Sequence, residues 1–159
     1  MANSLLNAAV FAAALGSGLM AGLFFVFSAF MMTALARLGA PQGIAAMQSV
    51  NVAILNPLFL IVFMGTAVLS LVTAVGAIWN WSAAGSGWTL AGSLLYLVGI
   101  ILVTMVFNVP LNNALAAVDP ASAEGAALWT RYLSEWVMWN TVRTVTALAA
   151  MVAFILALL

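Results

Sequence analysis

The sequence predicts an all-α protein, an integral membrane four-helix bundle with antiparallel, up-down-up-down connections. Three observations carry this. Hydrophobic residues make up 67% of the 159-residue chain and charged residues only 4%, with a mean hydropathy of +1.27. A soluble domain carries about 25% charged residues. The apolar sequence falls into four stretches, each long enough for the ~20-residue helix that crosses a bilayer. The breaks between them are short, which makes successive helices antiparallel neighbours. The predicted helices cover roughly residues 5–36, 42–78, 89–109 and 120–158 of one domain, 1–159.

The first helix begins after Met1-Ala2-Asn3-Ser4, which lacks the positive start of a signal peptide, so it is expected to be a retained span. Ala14, Gly18 and Gly22 repeat every four residues and form a small-residue seam. Such a seam suits close packing inside the bundle, with a homo-oligomer contact as the alternative. Leu38-Gly39-Ala40-Pro41 ends this helix, with proline opening the next. The second helix starts with Met47-Gln48-Ser49-Val50-Asn51, too polar for lipid, and is expected to run on through a kink at Pro57 to Ile78. Trp79, Trp81 and Trp88 flank the following small-residue loop as an interfacial aromatic belt. The third helix is expected to end near Val109-Pro110, with Thr104, Asn108 and Asn112 at four-residue spacing. Asp119-Pro120 reads as the cap and first residue of the fourth.

Composition narrows the chemistry. Three arginines balance three acids and there is no lysine, so nucleic acid is not an expected partner. Without Cys or His there is no disulfide, thiolate or His-ligated metal, and no Ser-His or Cys-His catalysis. No metal site is expected. The lipid bilayer is the one partner that composition requires.

The polar residues are not scattered. In an up-down-up-down bundle, Ser28 and Thr33, then Gln48, Asn51 and Asn56, then Asn108 and Asn112, then Tyr132, Glu135, Asn140 and Arg143 lie at one end. Tyr132, Trp136, Trp139 and Arg143 share one stripe of the last helix, with Asn140 on its shoulder. An arginine one turn inside an apolar span is costly and needs a partner or a task. Snorkelling to the headgroups is one answer. The other is an inward guanidinium that holds an anionic or carbonyl group, or the Glu135 carboxylate. Arg131 and Glu135 are spaced as a helical ion pair, and a desolvated Glu135 would serve as a general base. Arg37 and Arg131 flank the polar end, which the positive-inside rule places in the cytoplasm, with both termini outside an inner or plasma membrane.

Asn56-Pro57-Leu58-Phe59, Phe107-Asn108-Val109-Pro110-Leu111-Asn112-Asn113 and Trp136-Val137-Met138-Trp139-Asn140-Thr141-Val142-Arg143-Thr144, together with Met47-Gln48-Ser49-Val50-Asn51, resemble the signature blocks of the anthrone oxygenase-like integral membrane proteins. The blocks fall in the same order over essentially the whole chain. The resemblance implies oxidation of anthrones to anthraquinones by dioxygen without a cofactor. It points to Asn56, Asn108, Asn112, Trp136, Asn140 and Arg143. The family's last block reads W-N-H-x-R, and Thr141 stands where that His falls.

Two functions follow. As an enzyme, the protein would hold a flat phenolic or anthrone-like substrate in a slot of Phe59, Phe107, Trp136 and Trp139, near Gln48, Asn51, Asn56, Asn112 and Tyr132. Asn108, Asn140 and Arg143 would face the developing oxyanion and Glu135 would act as base. As a non-catalytic protein, it would bind or pass a quinone or lipid in the same pocket, or serve as an assembly subunit.

Overall fold

A computed structural model of the chain describes residues 2–159. Among the described residues there are helices and no strands. We number the helices α1 (Ser4–Ala36), α2 (Ala40–Ala53), α3 (Pro57–Trp79), α4 (Ser86–Ala117) and α5 (Ala123–Leu156). All but α2 are long and apolar enough to cross a membrane. The protein is therefore an all-α integral membrane bundle with four spans.

The spans form a ring in which α1 packs on α3 and α5, and α4 packs on α3 and α5. Register pairs fix the directions. Leu6 lies by Gly76 and Gly16 by Thr66, so α1 and α3 run antiparallel. Gly92 lies by Phe154 and Gly99 by Thr146, so α4 and α5 do the same. One end thus gathers the end of α1, all of α2, the start of α3, the end of α4 and the start of α5.

The second predicted helix is two. At 14 residues and 1.5 Å per residue, α2 is too short to cross the bilayer. It caps the polar end instead, with Ile44 and Met47 buried and Gly43 against the α1 carbonyl of Leu35 and the Trp129 ring. The chain breaks at Ile54–Asn56, and Pro57 opens α3 rather than kinking a continuous rod. A proline lacks the N–H that an interior turn requires, whereas a first turn leaves that N–H free anyway. Asn56 is the N-cap, and its Oδ1 accepts from Phe59 N at 3.0 Å.

Conversely, the third helix does not stop near Val109-Pro110 but continues to Ala117. Two π-helical stretches, Leu97–Leu102 and Thr104–Asn108, lie just before the proline. Their wider turns relax the carbonyl ladder that the proline ring would strike. A third, Phe27–Met31, interrupts α1 at the same end. The cap of α5 is Ser122, whose Oγ accepts from Gly125 N at 2.9 Å, rather than Asp119. Asp119 Oδ1 instead accepts from Ala121 N, so Asp119-Pro120 belongs to the preceding turn.

Small residues set the spacing between spans. The small-residue seam of α1 divides: Ala14 is buried, Gly18 lies beneath Met151 of α5, and Gly22 faces outward with nothing close to it. Gly16 sits against the Thr66 side chain of α3, where an added Cβ would collide with the hydroxyl. Gly16→Ala is expected to destabilise the detergent-solubilised protein by about 1–3 kcal/mol. Gly65→Ala, which meets open space, should be neutral or stabilise by up to ~1 kcal/mol. Thermal melts of the two variants check this, and equal melting temperatures would refute the close α1–α3 approach.

Candidate functional site

Polar rungs join α4 to α5 at the gathered end. Arg143 Nη1 donates to Thr104 Oγ1 at 3.1 Å. Asn108 Nδ2 donates to Trp136 O at 3.2 Å, and Tyr132 OH donates to Asn112 Oδ1 at 2.7 Å. The four-residue spacing of Thr104, Asn108 and Asn112 thus becomes three successive cross-links. Gln48 of α2 closes the same end by donating to Leu115 O at 2.8 Å and Val118 O at 3.1 Å, carbonyls left over where α4 stops.

Asn140 is the junction. Fully buried, it donates from Nδ2 to Phe24 O and Ser28 Oγ of α1, both at 2.7 Å. Its Oδ1 accepts from Arg143 Nη2 at 2.8 Å. The amide therefore ties α1 to α5 and aims the guanidinium at once. The inward stripe of α5 runs Tyr132, Trp136, Asn140 and Arg143. Trp139 is displaced to the flank, where it stacks on Phe107 with ring centroids 3.6 Å apart.

Arg143 points into the bundle, only 6% exposed, which rules out snorkelling. No carboxylate balances it. Among the described residues the one ion pair is Arg131–Glu135 at 2.9 Å, on the outside of α5. Glu135 therefore neither holds Arg143 nor lines the site: it lies about two turns before Arg143 and is paired with Arg131. The guanidinium instead lies over the Phe24 ring, 4.3 Å from its centroid, and 5.5 Å from that of Trp136. Aromatic faces partly offset a desolvated cation in this way.

Beside Arg143 is a cavity of about 270 Å³. Its walls are apolar, with Phe24, Phe27, Met47, Phe59 and Phe63 prominent, and its polar lining is Asn51, Thr104, Asn112, Trp136, Asn140 and Arg143. Two buried donors on lining residues have no acceptor: Trp136 Nε1 and Arg143 Nε. A buried donor without an acceptor costs about 1–3 kcal/mol. Both belong to side chains that line the one hollow.

Six predicted site residues meet here: Asn51, Phe59, Asn112, Trp136, Asn140 and Arg143. Asn56 is spent on its helix cap, Gln48 on the end of α4, and Asn108 and Tyr132 on the α4–α5 rungs. Phe107 and Trp139 pack on each other outside the cavity. Phe24 and Phe27 are walls that residue type did not single out. The available signal was Ser28, one turn after Phe24 on the same face of α1. Thr141 lies on the exposed flank of α5, its Oγ1 3.0 Å from Ser28 Oγ and 2.9 Å from Val137 O, away from the cavity.

The sequence model of the family described as anthrone oxygenase matches residues 59–153, more than half of the chain. Comparison with curated proteins and with solved structures finds no match.

Removing the junction should uncouple two helices and the guanidinium together. Asn140→Ala is expected to lose about 1–3 kcal/mol, because it leaves Phe24 O and Arg143 Nη2 unpaired in a dry site. Thr141→His, at an exposed position, should change stability by no more than ~0.5 kcal/mol. Chemical or thermal unfolding in detergent measures both. A neutral Asn140→Ala would remove the junction role.

Proposed function

The chain belongs to the anthrone oxygenase family, and on that premise we propose that its cavity binds a flat phenolic or anthrone-like substrate and promotes its oxidation by dioxygen. The observation that carries this reading is the set of unpaired donors, one on an unbalanced guanidinium, around an apolar hollow. Such a site suits an aromatic body bearing an oxygen that becomes negative during reaction. Preorganised donors in a dry site favour that charge without reorganising water.

The chemistry needs little else. An anthrone-like substrate releases one methylene proton, the equivalent of which returns when the peroxide forms, and becomes an enolate, whose oxygen sits against Arg143 and Trp136. The enolate passes one electron to dioxygen, and the resulting radical and superoxide join through a new C–O bond. The peroxide takes up a proton. Loss of the second methylene hydrogen with cleavage of the O–O bond releases water and leaves a carbonyl. The sum is substrate plus dioxygen giving quinone plus water.

Asn140 acts as a positioning residue, since it fixes the guanidinium that meets the oxyanion. With Glu135 outside the cavity, acidification of the substrate by the cation, rather than a carboxylate base, supports the first proton loss. We place the polar end in the cytoplasm and both termini outside, because Arg37 and Arg131 flank that end.

One observation favours a second reading. No carboxylate lines the cavity, so the same geometry suits a carrier that binds a quinone or phenolate and leaves it unchanged. Turnover separates the two. Purified protein with anthrone under oxygen should consume dioxygen and form quinone, and Arg143→Ala should lower the rate about 10²–10³-fold. Arg37→Ala and Glu135→Gln, both remote from the cavity, should stay within about twofold. Full activity in Arg143→Ala would sink the proposal. Ligand binding without oxygen uptake would favour the carrier.

A further inference from the structure

Several side chains that line the cavity are also exposed on the outer faces of α3 and α4. Close packing of α3 on α4 follows Ser86–Leu102 and falls away along the rest of α4. At the packed end, Thr73 Oγ1 and Ser93 Oγ lie 3.0 Å apart, and Tyr96 OH donates to Phe63 O at 2.9 Å. Beyond Tyr96 no polar contact ties the two helices. The side chains of α3 and α4 that both line the cavity and stand exposed lie here: Leu60 at 38%, Met64 at 49%, Met105 at 65% and Val109 at 39%.

The approach from water at the polar end is partly covered, with Leu55, at the break before α3, lining the cavity and 64% exposed. Gln48 fastens α2 to the end of α4. Trp129, Tyr132 and Trp136 stack beneath α2 with centroids 5.5–5.7 Å apart.

We propose that the ligand of this cavity reaches it sideways from the bilayer, through a portal between the first half of α3 and the second half of α4, with Met64 and Met105 as the movable cover. This rests on the reading of the cavity as a ligand site and adds the substrate class. The molecule is uncharged and aromatic in the lipid, carries acceptor oxygens, and ionises only beside Arg143. Methionine suits the cover, because its unbranched thioether changes rotamer at little cost. The π turn Thr104–Asn108 carries Met105, and wide turns of this kind recur at functional positions in helices.

The chain has no cysteine, so single thiols report access directly. Leu23→Cys places a thiol on the α1 wall of the cavity, and Leu71→Cys places one on the exposed face of α3 as a folding control. In lipid nanodiscs, N-phenylmaleimide, which partitions into the bilayer, should label Leu23→Cys. A sulfonated methanethiosulfonate, confined to water and not repelled by Arg143, should not. Adding Met64→Trp or, separately, Met105→Trp should slow the maleimide reaction at position 23 about tenfold while labelling at position 71 is unchanged. Equal labelling by the aqueous reagent would overturn the portal, as would unchanged rates in both tryptophan variants. So would a Leu23→Cys thiol that neither reagent reaches. No anthrone enters these measurements. Lateral labelling in a protein that oxidises no anthrone would leave the portal standing and remove the oxygenase reading.

Discussion

A buried, unbalanced guanidinium is the constraint to which the polar end of this bundle answers. A charged side chain at bilayer depth is costly unless it is paired, hydrated or held. Arg143 has no carboxylate and does not reach the headgroups. It is held by one amide, one hydroxyl and two aromatic faces. Asn140 serves it best, because an amide offers an acceptor to the cation while its two donors bind α1. Aspartate in that place would neutralise the charge and lose both donors. The arrangement leaves the cation available to a third party.

The backbone is adapted to the same end. π-helical turns in α1 and α4 lie on either side of the Arg143 site. In hydrocarbon, a carbonyl freed from its helical partner must find another. Gly99 O accepts from Thr146 Oγ1 at 3.1 Å, and Phe24 O accepts from Asn140. The irregular turns and the side-chain clamps therefore require each other. The opposite end needs no such devices. There, Ser17, Thr66 and Ser93 return their hydroxyls to their own helices, and glycines allow close packing.

Binding and stability pull in opposite directions at this site. The unpaired donors on Trp136 and Arg143 cost stability, and a ligand with acceptor oxygens would recover that cost. The walls of the cavity are largely apolar. Gln48 fastens α2 to the end of α4 beside it.

Composition alone determined the membrane class and the all-α bundle, because 4% charged residues cannot cover a water-facing surface. Topology and spacing then brought asparagine, tyrosine and arginine to one end, and the motif blocks pointed to the family whose sequence model matches. Which of these residues face the cavity was decided only by the tertiary structure. Asn56 and Asn140 are the same residue type, yet one caps a helix at the surface and the other joins two helices around a cation. Asn56 caps because the chain breaks at Ile54–Asn56, and Asn140 is a junction because Phe24 O and Ser28 of α1 lie against it. A 3.6-residue stripe assumes an unbroken α-helix. Thus Pro57 began a helix where a kink was expected, and Pro110 lay inside one expected to end. In the unbroken α5 it was packing against α1 that turned Asn140 inward and left Trp139 on the flank. Side-chain identity limits which bonds are available, but the path of the backbone selects among them.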